Sequence, residues 1–95
     1  MATTMFVRHK VSDYSNWKRI YDEFASVRKE KGVTGASVHR DANDPHTIIV
    51  THQFREVDAA QAFASSEELK STMAKAGVSG APEIWFSDDI EQTPY

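Results

Sequence analysis

The sequence predicts an α+β fold. It is a ferredoxin-like βαββαβ sandwich, with a four-stranded antiparallel sheet in the order 4-1-3-2 and both helical segments on one face. Three observations carry this. Short β-branched runs alternate with two longer segments of helical period. The second and third strand candidates are separated only by "DANDP", whose Asn-Asp and Asp-Pro steps signal a turn and so a hairpin. Right-handed crossovers then leave this order of elements one simple closure.

The first strand covers about Met5 to Val11. Val7, His9 and Val11 point one way, and Phe6, Arg8 and Lys10 the other. Asp13 is a good N-cap for a helix running to about Lys31, with Trp17, Ile20, Tyr21, Phe24 and Val27 at helical spacing. Gly32 follows the basic last turn "RKEK" as its C′ residue. A strand from about Thr34 to Arg40 pairs across the loop with "HTIIVTHQF". The next stretch, "VDAAQAFASSEELKSTMAKAG", is helical but interrupted. A short helix ends near Ala64, Ser65 and Glu68 suggest a capping box, and a second helix runs from about Ser66 to Ala76, with Leu69, Met73 and Ala76 on one face. Gly77 and Gly80 end that helix, and "APEIWFSDDI" is the last strand.

The chain is 95 residues long and fits a single domain, with a core over about residues 5–90 and a short tail at 91–95. A net charge of −3 gives no electrostatic case for nucleic acid. The absence of cysteine removes disulfides, thiolate metal sites and a cysteine nucleophile. No apolar run approaches a bilayer span, and "MATTMFVRHK" lacks the pattern of a signal peptide, so the expected location is cytoplasmic, away from membranes.

Alternation assigns the two sheet faces. Ile48, Val50, His52 and Phe54 join Val7, Val11, Val38, Ile84 and Phe86 under the helices. The other face holds Phe6, Arg8, Lys10, Ser37, His39, Ile49, Thr51, Trp85 and Ser87. It has too much aromatic and aliphatic surface to stand in water, and a second copy packed on it would make a two-fold homodimer. Arg8 and Lys10 would then reach carboxylates such as Asp88, Asp89 or Glu91.

With these elements placed, the chain resembles the dimeric α+β barrel superfamily, close to the antibiotic-biosynthesis-monooxygenase-like proteins. The resemblance covers about residues 5–90. It rests on the order of elements, on "RHKVSDYSNWK" entering the first helix, on the broken helix "AFASSEELKSTMAKAGV" and on the closing strand "PEIWF". It implies a small-molecule pocket between helices and sheet. The implied activity is a cofactor-independent monooxygenase acting on aromatic or polyketide-like compounds. Two alternatives stay open: a polyketide cyclase or isomerase using a pocket histidine as acid–base, and a non-catalytic ligand-binding or stress-associated dimer. A haem-degrading member would need a histidine on a helix, whereas all four histidines here fall on strands or their edges.

His9 and His52 are the candidate catalytic residues. Both share parity with apolar neighbours, and an imidazole in an apolar pocket stays neutral and able to move a proton. Each is late in its own antiparallel strand, which sets them toward opposite ends of the sheet and argues against a direct pair. Tyr14, Trp17, Tyr21, Phe24 and Phe86 are the candidate substrate-binding residues, as planar walls for an aromatic ligand. Core packing is the plainer role for the helical three. His39 suits the open face and His46 solvent. The histidine spacing supplies no metal-ligand motif, and no cofactor is expected. Asn16 adjoins Trp17, about 100° away around the helix, so the two cannot both face one pocket squarely.

Overall fold

The computed structural model describes residues 2–95. Its sheet contains β1 (Thr3–Val11), β2 (Gly35–Asp41), β3 (Asp44–Phe54) and β4 (Val78–Asp88), antiparallel in the order β2-β3-β1-β4. This is the predicted 4-1-3-2 order read from the other edge. The helices are α1 (Tyr14–Glu23), α2 (Ala25–Glu30), α3 (Val57–Ala64) and α4 (Glu67–Lys75). Among the described residues no helix is long and apolar enough to cross a membrane.

The faces divide as alternation requires. Met5, Val7, His9 and Val11 are buried, while Phe6 and Arg8 are half-buried and Lys10 is exposed. Val7 sits opposite Val50 on β3 and Ile84 on β4. On the other face Phe6 and Trp85, directly paired across strands, stack with ring centroids 5.2 Å apart.

Four local readings need correction. The predicted single helix to Lys31 is two, broken at Phe24. There the Tyr21 carbonyl accepts from the Phe24 N–H at 3.2 Å and from Arg28 Nη1 at 2.6 Å. A side chain inserted into the backbone ladder breaks a helix, and a hydrophobic period does not report it. The helical run still closes at Gly32, with φ +103°, in a Schellman motif. Val33 N–H donates to Arg28 O at 3.0 Å and Gly32 N–H to Lys29 O at 3.1 Å.

The second correction concerns the interrupted helix. The break is where the sequence places it, but the N-cap of α4 is Ser66, whose Oγ accepts from Leu69 N–H at 3.3 Å. Ser65 is the C-cap of α3 and donates its hydroxyl back to Gln61 O at 3.1 Å. The cap energy, on the order of 1 kcal/mol, therefore belongs to Ser66. Third, the hairpin loop shrinks to Ala42–Asn43. Asp41 pairs with Asp44, and its Oδ1 accepts from Asn43 N–H at 2.8 Å, closing the turn locally.

Fourth, Gly80 lies inside β4 and does not end α4. The β1–β4 register passes from Arg8↔Glu83 to Lys10↔Ser79, so Gly80, Ala81 and Pro82 bulge opposite His9. Gly80 takes φ +74° there, a conformation glycine adopts freely, and Pro82 needs no ladder donor at a bulge.

The core lies between the sheet and the helices in two parts. Met5, Val7, Phe54, Ala60, Phe63 and Leu69 form one, under α3 and the start of α4. Val11, Trp17, Ile20, Ile48, Val50 and Ala76 form the other, under α1. The seam between them is where a cavity opens.

Candidate functional site

The seam cavity has about 40 Å³ of room for the centres of water molecules. By the usual ~10–15 Å³ per water, this accommodates only a few waters. Its walls are nearly all apolar. Val7, Val50, Ile20 and Leu69 contribute, together with the flat rings of Trp17, Tyr21 and Phe24. Trp17 and Tyr21 are stacked at 5.1 Å, because residues four apart on α1 point to one side. Thr72 and Met73 of α4 close the wall opposite the sheet.

Three side chains with chemistry enter this wall. His9 from β1 is 6% exposed, His52 from β3 is 5% exposed and Arg28 from α2 is 8% exposed. Both ring nitrogens of His9, and Nδ1 of His52, are buried with no hydrogen-bond partner among the described residues. Buried polar groups are seldom left this way in the interior of a fold. The rings are held by packing instead. His9 is tilted against Trp17 at 5.7 Å, and His52 against Phe63 at 5.3 Å.

Burial pushes the pKa of each histidine down to about 4, because the imidazolium loses its hydration. For His52, the Arg28 cation and then His9 add to the effect. Both rings are therefore neutral at pH 7, with a nitrogen able to accept a proton.

The two histidines do not bond to each other. His9 stands opposite Ile48, and His52 opposite Met5, four register positions along the strands. That is roughly 13 Å at strand rise. The expected separation is therefore present, yet both side chains lean into one cavity from its two ends.

Trp17, Tyr21 and Phe24 line the cavity as well. Tyr14 and Phe86 are not among the lining residues. Tyr14 stacks on Trp17 at 5.9 Å, under the Arg40 guanidinium. Phe86 shares the helix-facing side with Met5, but on the edge strand, where it is 36% exposed. His39 lies on the open face and shares Ser37 Oγ with Thr51, its Nε2 2.9 Å from that hydroxyl.

Arg8 and Lys10 find carboxylates within the chain: Arg8 pairs with Asp41 at 3.3 Å and Glu83 at 3.4 Å, and Lys10 with Asp44 at 3.8 Å. Glu83 is the register partner of Arg8, so it is nearer than the acidic end of β4. Asp89 accepts from Thr4 Oγ1 at 2.6 Å.

Sequence reasoning missed Arg28. It read the residue as one of the basic side chains completing a helix terminus. The signal was there in the spacing: Tyr21, Phe24 and Arg28 continue the stripe begun by Trp17 at steps of four, three and four. Among the described residues no group of three His, Cys, Asp or Glu side chains is arranged to hold a metal ion.

Comparison with known proteins agrees with this architecture. The family model for antibiotic biosynthesis monooxygenase matches residues 9–75. No curated protein matches the chain. Among solved structures, SnoaB from Streptomyces nogalater, described as a cofactor-independent oxygenase, superposes with a TM-score of 0.78 at 10% identity. The match covers 99% of this chain and 98% of that one. A candidate antibiotic biosynthesis monooxygenase from Bordetella bronchiseptica gives 0.81 at 11% identity over 95% and 98% of the two chains. Another, from Caulobacter crescentus CB15, gives 0.75 at 18% identity over 95% and 91%. At such identities the structures speak for the fold alone.

Proposed function

The chain belongs to the antibiotic biosynthesis monooxygenase family, and from that premise we propose that its cavity binds a small phenolic aromatic compound and oxygenates it with O₂ alone. The observation that carries this is the pair of buried, neutral, unpartnered imidazoles at the two ends of one aromatic-walled cavity.

The chemistry needs two proton acceptors, one for an O–H and one for a C–H. His52 takes the phenol proton. The ring anion adds O₂ at the carbon para to its oxygen, a C–O bond forms, and the peroxide recovers that proton. His9 then takes the C–H proton, the O–O bond breaks, and hydroxide leaves and is protonated to water. The sum is phenol plus O₂ giving quinone plus water, with no outside reductant. A ring system spans the roughly 13 Å between the two backbone positions, with a hydrogen bond at each end. Its entry requires Met73 and Leu69 to yield, since even benzene occupies an engineered cavity of roughly 150 Å³. Both sit on α4, which begins anew at the Ser65–Ser66 break with Ser66 as its own N-cap.

The test is oxygen uptake over a panel of dihydroxy-aromatic compounds under ¹⁸O₂. One labelled atom is expected in the quinone and the other in water. Stoichiometric hydrogen peroxide, or no uptake above buffer across the panel, would overturn the reading.

The same proposal includes a homodimer through the open sheet face. Trp85 is 42% exposed there and stacked on Phe6, Ile49 lies on the same face opposite Arg8, and a second copy would cover all three. Trp85→Glu places a charge at the centre of that contact. Light scattering at micromolar concentration is expected to give a dimer for the wild type and a monomer or unfolded chain for the variant. A monomeric wild type would reject the assembly.

A further inference from the structure

Arg28 is unlike every other cation of the described chain. It is 8% exposed, and no carboxylate of the described residues lies within salt-bridge distance of it. Asp22 acts on it only at a distance and is itself paired with Lys18 at 2.6 Å. The guanidinium is held in place by two contacts. Nη1 donates to Tyr21 O at 2.6 Å, and the group lies flat on the Tyr21 ring, with Cζ 3.7 Å from its centroid. Cation–π stacking and one carbonyl explain where the group points. They do not neutralise its charge, and a buried charge without an opposite charge is costly.

Arg28 also faces the cavity. The other titratable groups around that cavity are His9 from β1, His52 from β3 and Tyr21 from α1, while α4 contributes Leu69, Thr72, Met73 and Ala76. At neutral pH Arg28 is the one charged side chain among these lining residues.

We propose that Arg28 is the counter-ion for an oxyanion of the bound aromatic substrate, so that the pocket favours, over the neutral molecule, the phenolate or enolate left when His52 takes the proton. This rests on the reading of the cavity as the substrate site, and it names what that site selects. The residue acts by charge and geometry: the stack on Tyr21 fixes the fork, and the unpaired edge meets the ligand oxygen. It is thereby a specificity-determining residue, separate from the histidines that move protons.

The experiment uses two coloured probes. 4-Nitrophenol ionises, with a visible change in absorbance, and its methyl ether 4-nitroanisole does not. Saturable quenching of tryptophan fluorescence reports binding of either. In the wild type, 4-nitrophenol should titrate about 1–3 pH units lower when bound than when free, as expected for an acid beside an opposite charge. The shift is read as the larger phenolate fraction of the bound compound between about pH 6.5 and 7, where the fold is intact. 4-Nitrophenol should also bind more tightly than the ether at neutral pH. Arg28→Met keeps a long apolar stem and deletes the charge. There the bound phenol should titrate above the free one, because burial alone favours the neutral form. Arg28→Lys should retain the downward shift at reduced size. Should Arg28→Met fail to fold, the wild-type titration decides alone. A bound phenol whose titration is unshifted or raised in the wild type overturns the inference, while ether binding leaves the substrate site standing. Failure of both probes to bind overturns the substrate site and this inference with it.

Discussion

His9→Phe is expected to fold normally and to lose turnover of a panel-positive phenol by about 10²–10⁴-fold, the usual contribution of a positioned acid or base. Neither ring nitrogen of His9 has a partner among the described residues, so replacing the ring leaves no donor or acceptor orphaned. The 5.7 Å contact with Trp17 is one a phenyl ring makes equally well. A structural histidine behaves the other way. Its loss costs about 1–3 kcal/mol through the abandoned partner, while turnover per folded molecule persists. Thermal melting and oxygen uptake, measured on the same preparation, separate the two. A melting point lowered by several degrees with turnover intact would remove His9 from the chemistry and leave His52 as the remaining base.

The parts of this molecule legible in the sequence are those set by periodicity. Parity on β1 and β3 placed His9 and His52 under the helices, because a buried sheet face fixes which residues point inward. The helix stripe placed Trp17, Tyr21 and Phe24 against them. What stayed hidden depends on contacts between elements. That both histidines serve one cavity needs the β1–β3 register, which the hairpin and crossover lengths leave open. The break at Phe24 comes from the Arg28 guanidinium turning back onto the Tyr21 carbonyl, a contact that the stripe reaching Arg28 does not announce. Ser65 and Ser66 are adjacent candidates for one cap. Sequence favoured the box with Glu68, but that carboxylate pairs with Lys31 at 2.8 Å, and Ser66 takes the helix end. Phe86 shows the limit of parity: it faces the right side of the sheet, but from an edge strand that carries it past the cavity.

Acid is expected to unfold the protein through the same two histidines, well before its carboxylates titrate. In the folded chain His9 and His52 stay neutral down to about pH 4. In the unfolded chain they take up protons near their ordinary pKa of about 6.5. Between those values the unfolded state binds more protons than the folded one, so stability falls as pH falls. It is undiminished above about pH 7, begins to drop through 6.5 and has lost the full amount near 4. Each group accounts for roughly 3 kcal/mol over that window, at 1.36 kcal/mol per pH unit. Two together are comparable with the entire stability of many small domains, about 5–15 kcal/mol. Asp44 and Glu68, held below the ordinary carboxylate range by hydrogen bonds from Thr47 and Lys31, lose their stabilising contribution only at lower pH. The interval between about pH 5 and 6.5 therefore isolates the imidazoles. Urea midpoints at fixed protomer concentration should fall steeply from pH 7 to pH 5 in the wild type. The double variant His9→Phe, His52→Phe should keep a nearly constant midpoint over the same interval, since nothing buried is left to charge. Equal wild-type midpoints at pH 7 and pH 5 would mean that both imidazoles reach water when protonated, and that the cavity does not hold them neutral.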